Sequence, residues 1–439
     1  MDVPNRWQQR LYFFSLVAVL FTTLFSWFNL NSVCIMLLVV SRLLYKPLSS
    51  IKTAFTNKVF LAFFVFYVIE GLGYLHTHNF SDQSKAMSKE ATMVAIAFVG
   101  CAGAFARGKI YRQLLTAYYY LLVAASVYCL IIAAHKYRLT GDGSVFFYHS
   151  LTQPISQNAV FYSVYIVFGI LFLLAPYGEP LAGPMPRWAA RTIRYSLVVF
   201  FLGMILLLNS KLMLVIAILI VARAFLRRQT YRQNKMTLLV AGSALLLGIG
   251  ILSLTDNPIR ARYRDMAGDL SLVRQPEFNP GIYFNPIQLR LLEWRFAHEI
   301  LNEHHAWVFG VSPGDSQDLL DQQYVKTHMY IGNPAEGPHR HIRGFIGYNF
   351  HNQYLETLVR SGLLGLFVLL AIFAAMFAAA AKQGTGEAWL VVLTIAVFFI
   401  PEAPLTMQHG VFLFCFFPML AFGGPRGGSR AEQPALSAE

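Results

Sequence analysis

Apolar residues in this chain come in long unbroken runs. Residues 11–28, 59–74, 114–134 and 238–254 are examples. Runs of roughly 16 to 22 residues have the length a helix needs to cross a hydrocarbon core. Short segments between them collect the basic residues. These are Lys46, Lys52 and Lys58; Arg107, Lys109 and Arg112; Arg187, Arg191 and Arg194; Arg223, Arg227, Arg228, Arg232 and Lys235; Lys382; then Arg426 and Arg430. Threading the chain from an inside N-terminus, as Arg6 and Arg10 suggest, puts every one of these loops on one side. Short basic loops stay cytoplasmic, so the pattern predicts an all-α polytopic membrane protein of about twelve transmembrane helices with both termini cytoplasmic. The first run resembles a signal-peptide core. It is too long for one, and Phe28-Asn29-Leu30-Asn31 is not a small-residue cleavage site, so it is read as a retained span.

One interval breaks the rhythm. Residues 255–350 carry Pro, Gly, many charges and the histidines His298, His304, His305, His328, His339 and His341, and cannot all be membrane. Within them, 288–302 places Leu289, Leu292, Trp294, Phe296, Ile300 and Leu301 between polar residues, an amphipathic helix suited to an interface. Residues 334–348 read as an irregular loop. The expected organisation is therefore transmembrane helices 1–9 over 1–254 and a large, partly helical periplasmic loop over 255–350. Transmembrane helices 10–12 follow over 351–423, and then a disordered cytoplasmic tail over 424–439. No internal repeat is visible, which weighs against transporters built from paired halves.

Composition agrees with this and removes other classes. Only 13% of the residues are charged, about half the share of a soluble domain. The formal net charge of +13 is accounted for by the basic loops, so no nucleic-acid partner is called for. Cys34, Cys101, Cys129 and Cys415 each lie inside an apolar run and read as small hydrophobes, not as a disulfide framework or a zinc site.

The sharpest local pattern is His351-Asn352, nine residues, then Gly362-Leu363-Leu364-Gly365, opening the tenth expected span on the outer side. Eleven residues is close to three helical turns, so His351 and Gly362 are expected on one face, with the glycines admitting a neighbouring helix. A histidine at the water–membrane boundary can titrate near neutral pH and act as a general base; it can equally cap a helix or bind a headgroup. Lys211 follows Asn209-Ser210 at a turn between spans, and Arg290 lies on the amphipathic helix. Either could be an anchor to headgroups.

With these motifs in order, the chain resembles the O-antigen ligase and polymerase family of bacterial surface polysaccharide assembly. The resemblance rests on His351-Asn352-x9-Gly362-x-x-Gly365 after a long outer loop. It rests also on Gln288-Leu289-Arg290-Leu291-Leu292-Glu293-Trp294 followed by Trp307-Val308-Phe309-Gly310-Val311, which is similar to the family's Arg-x-x-x-Trp segment and Gly-rich turn. Leu208-Asn209-Ser210-Lys211 resembles the family's Thr-x-Ser-Arg stretch. In that stretch Lys211 replaces an arginine, keeping the charge but losing the bidentate fork.

The resemblance implies a GT-C-like membrane fold in the bacterial inner membrane, with its active site facing the periplasm. It implies a metal-independent glycosyltransferase without cofactor. Its donor would be an undecaprenyl-pyrophosphate-linked glycan, its acceptor lipid A-core, and membrane lipids its surroundings. His351 would take the acceptor proton. Arg290 and Lys211 would balance the leaving pyrophosphate, because developing negative charge needs fixed cations. Arg260, Arg262 and Arg264 are further candidates for lipid or donor phosphates, and His339 and His341 for the acceptor site. Those two histidines could instead hold zinc, but no Cys or clear carboxylate partner is near in sequence. Glu402, near the outer face, could orient a base or a cation.

An O-antigen polymerase or a protein O-glycosyltransferase would need the same base and cations. A flippase or transporter for the same lipid would want charged residues deep within spans, and few are evident.

Overall fold

The computed structural model describes residues 6–44, 47–103, 108–175, 186–227, 269–332 and 344–425. Among these residues the secondary structure is helical, with no strand. In the first part of the chain the helices are α1 (Arg6–Leu24), α2 (Phe28–Leu43), α3 (Pro47–Phe55), α4 (Lys58–Leu72), α5 (Phe80–Cys101), α6 (Gly108–Thr140), α7 (Tyr148–Thr152), α8 (Ala159–Leu174), α9 (Arg187–Leu208) and α10 (Lys211–Arg227). The later ones are α11 (Pro286–Glu303), α12 (Ser316–Lys326), α13 (Gln353–Gln383), α14 (Gly386–Phe398) and α15 (Gln408–Gly423).

Among the described residues, four helical stretches are long and apolar enough to cross a membrane: Lys58–Leu75, Gly108–Thr140, Trp188–Leu208 and Gln353–Gln383. The count is up to six if each of two bent pairs is one span. That makes the chain a polytopic membrane protein; the expected twelve spans go beyond this count. The apolar run 238–254 lies outside the described residues. Other apolar helices fall short singly by length, α8 with 16 residues, α14 with 13 and α15 with 16. Nearly every side chain of α8 is buried, the mark of a helix enclosed by others.

Side-chain contacts fix the directions. Phe161 near the start of α8 stacks edge-on against Phe398 and His409, at the end of α14 and the start of α15. Lys89 Nζ donates to the Thr406 carbonyl in the same region. At the far end, Arg42 of α2 donates to the Ala102 carbonyl. The chain therefore gathers the end of α14, the start of α13, the start of α15 and the 399–407 turn at one end of the bundle.

On that end sits a second, smaller hydrophobic core. Phe278, Phe284, Leu292, Phe296, Ile300, Leu320, Tyr324 and Val359 belong to it. The amphipathic segment forms α11 as expected, opened by a capping box between Asn285 and Gln288 with Pro286 at the first turn. Its apolar face packs into this core.

Two sequence expectations change here. The stretch 76–90 reads as a mixed-charge loop, yet from Phe80 it is the first part of α5. Asn79 caps it, its side chain accepting from the Asp82 amide, and Gln83, Met87 and Glu90 face inward at helical spacing. The second change concerns Gly362. It does not share a helical face with His351, because α13 is broken there (φ 64°, ψ −165°) and His351 lies before the helix cap. The 307–312 turn enters the break. Leu363 N–H donates to the Trp307 carbonyl at 2.7 Å and Val311 N–H to the Val359 carbonyl at 2.8 Å. Ser312 N–H donates to the Arg360 carbonyl at 3.0 Å. Backbone groups that a broken helix would leave unpaired are thus satisfied by the turn. What Gly362 admits is this backbone, not another helix.

A methyl group at Gly362 would lie 2.2 Å from the Val308 backbone, in a conformation essentially confined to glycine. Gly362→Ala should therefore lose at least about 1–3 kcal/mol from backbone strain alone. Gly203→Ala in α9 is the control, since nothing lies within 4 Å of its added carbon. Thermal unfolding in detergent should show a clear drop for the first and none for the second. Equal melting temperatures would contradict the packing described.

Charge is also buried where few charges were expected. Arg360 of α13 is buried between Glu70 of α4 and Glu90 of α5, with both carboxylates 2.6 Å away. Ser361 Oγ also donates to Glu70. Glu356, one turn before Arg360, is buried as well. Glu70, Glu90 and Arg360 lie on three helices far apart in sequence, so only the fold reveals the cluster.

Candidate active site

Two local features present His351. Asn352 caps α13, its side chain accepting from Leu355 N–H at 3.0 Å. His351 itself adopts a left-handed conformation (φ 43°), and its N–H donates to Asn349 Oδ1 at 2.9 Å. This turns the imidazole away from the helix and toward α11. There Nδ1 lies 2.8 Å from Glu293 Oε2 and 3.1 Å from the Asn349 carbonyl. Both neighbours are acceptors, so Nδ1 carries the proton and Nε2 is left as the basic nitrogen. The His351 side chain is 24% exposed and that of Glu293 is fully buried. Tyr324 donates to the other Glu293 oxygen at 3.3 Å. A fixed carboxylate thus orients the ring, the arrangement that prepares a histidine for proton abstraction.

Arg290 lies one turn before Glu293 on α11. Its guanidinium donates to the Pro401 carbonyl, the Pro286 carbonyl and Glu402 Oε1, each at 3.0 Å. Glu402 thus orients a cation, one of the two roles open to it from sequence. The Arg290 and Glu402 charges both act on His351. Burial alone would lower the imidazole pKa, but Glu293 and Glu402 outweigh burial and Arg290 and raise it above the ordinary histidine value. Basic neighbours do not dominate, although the basic residues in sequence suggest they would. Burial likewise raises Glu293, against the opposing pull of His351 and Arg290.

Residues 196–370 match the family model described as O-antigen ligase. The chain carries an O-antigen ligase domain. This domain runs from α9 into α13 and so includes Lys211, Arg290, Glu293 and His351. No curated protein matches the chain.

Within the O-antigen ligase domain the structure brings Arg290 and His351 together. Lys211 stands at the first residue of α10. Arg223, near the other end of α10, pairs with Glu387 at the start of α14 at 3.5 Å. The start of α10 is therefore at the bundle end where α14 finishes and Arg290 meets Pro401. Arg260, Arg262, Arg264, His339 and His341 lie outside the described residues. Among the described residues no group of three His, Cys, Asp or Glu side chains is placed to hold a metal.

Sequence reasoning gave no role to Glu293, Tyr324 or Asn349. A signal for Glu293 was present. It is a carboxylate in register with Leu289, Phe296 and Ile300 on the apolar face of an amphipathic helix, where an unpaired charge is costly. Tyr324 and Asn349 carry no comparable signal.

Proposed function

We propose that this chain is a membrane-embedded, metal-independent glycosyltransferase. It joins undecaprenyl-pyrophosphate-linked O-antigen to lipid A-core at the periplasmic face of the inner membrane. The observation that carries this reading is the Glu293-oriented His351 imidazole beside the Arg290 cation, within a domain matched to O-antigen ligases. His351 Nε2 takes the proton from the acceptor hydroxyl. The acceptor oxygen bonds to the sugar's anomeric carbon as the bond from that carbon to the pyrophosphate oxygen breaks. The lipid pyrophosphate leaves with an added negative charge, which Arg290 and Lys211 offset. A base whose pKa lies near working pH suits this role.

The fold that goes with this reading is GT-C-like, with about twelve spans set by the one-sided basic loops. The bundle end bearing α11 and α12 faces the periplasm, and both termini are cytoplasmic. Arg260, Arg264, His339 and His341 remain candidates for substrate contacts. The buried Arg360 cluster is the kind of feature a lipid-linked glycan transporter would use, and it favours that second reading.

Purified chain supplied with lipid-linked glycan and lipopolysaccharide lacking O-antigen should yield a ladder of glycan on lipid A-core. Lengthened lipid-linked glycan would make it a polymerase. Glycan on protein would make it a protein O-glycosyltransferase. Movement of lipid between leaflets with no transfer would make it a transporter.

A further inference from the structure

A cleft with polar and apolar walls lies between the matched domain and the turn before α5, on residues the reaction does not use. Its volume is about 790 Å³, inside the range of small-ligand sites. One wall is the turn from His76 to Phe80; the other comes from the segment 304–315 that follows α11 and from the first turns of α12. Three histidines (His76, His78 and His304), Asn79, Asp318 and Gln322 line it, with Phe80 as its aromatic surface. The Phe80 ring is exposed and backed by Tyr74, with ring centroids 6.3 Å apart and planes within 24°.

The cleft is preformed. Asp315 accepts from the backbone N–H groups of His78 and Asn79 at 2.9–3.0 Å, and Asn79 Nδ2 donates to Asp318 at 2.8 Å. Gly314 packs so closely that a methyl group there would lie 2.3 Å from Thr77 Oγ1. Two segments more than two hundred residues apart in sequence are thereby locked into one surface.

We infer that this cleft is a saccharide subsite. Planar amide, carboxylate and imidazole groups beside an exposed ring match a pyranose, whose hydroxyls need paired donors and acceptors and whose C–H face packs on an aromatic surface. Its height fits as well. The cleft begins at His76, immediately past the candidate span Lys58–Leu75. A glycolipid presents the sugars nearest its anchor at that level. The inference rests on the glycosyltransferase reading for the source of the sugar, which is either the donor glycan or the acceptor core.

Saturation-transfer NMR on the full chain in detergent tests it. Two probes are used, core oligosaccharide and O-polysaccharide, each released from lipopolysaccharide by mild acid. One of them should bind, and the one that binds names the source. Phe80→Ala should weaken binding up to about tenfold, the scale of one ring contact, with exposed Gln322→Ala acting in the same direction. His351→Ala should bind as the parent does. No binding by either probe, or binding indifferent to both cleft substitutions, would overturn the subsite. Saccharide binding through Phe80 in a chain that transfers nothing would leave the subsite standing and remove the reaction. Transfer with binding indifferent to the cleft would do the reverse.

Discussion

His351→Ala should slow glycan transfer by about 10²- to 10⁴-fold, the usual contribution of a general base. The variant also leaves the fully buried Glu293 without its imidazole partner, so some fall in melting temperature should accompany it, and the rate is compared at a temperature where both chains are folded. The parent's transfer rate should rise with pH through an apparent pKa above the ordinary histidine value of about 6.5. The sign follows from the site. The active imidazole must be unprotonated, while Glu293 and Glu402 favour its protonated form. Glu293→Gln removes the nearer of these influences. Its acid limb should move to lower pH, and its maximal rate should fall because the ring loses its orienting carboxylate. A Glu293→Gln profile displaced to higher pH would mean that the carboxylate does not act through His351. A merely structural Glu293 would change stability and leave the limb where it was.

The largest stability loss is expected at Arg360. Arg360→Met leaves Glu70 and Glu90 facing one another in a buried space with no cation between them. Breaking a buried ion pair from one side costs about 3–5 kcal/mol, and proton uptake by the carboxylates softens part of that. Removing the charges together should recover much of the loss. Arg360→Met combined with Glu70→Gln and Glu90→Gln should melt well above Arg360→Met alone. The single substitution should also impair transfer, because Arg360 lies at the α13 break that supports the His351 end of the helix. Unfolding in detergent checks the order of the variants. An Arg360→Met chain as stable as the parent would mean that the cluster contributes nothing net.

The parts of this molecule that were legible in sequence depend on local pattern. α11 could be read from its periodicity, whereas a shared site for Arg290 and His351 was an expectation from the family resemblance and not from pattern. What could not be read depends on distant partners. The break at Gly362 follows from the 307–312 turn entering α13, and eleven-residue spacing cannot reveal it. Glu70, Glu90 and Arg360 stand on α4, α5 and α13, the third 270 positions after the second, so nothing local links them. α5 was hidden by its charged first turns, whose inward positions become visible only with their neighbours in place. Span counting is limited differently, since α14 and α15 are apolar but too short to qualify alone.

A single-turnover experiment on His351→Ala loaded with lipid-linked glycan tests the central claim most directly. Donor binding relies on cations and not on the imidazole, so the variant should hold its donor as the parent does. When acceptor is added, product should form at least about 10²-fold more slowly. Transfer at the parental rate from the loaded variant would contradict the claim and remove His351 from the reaction.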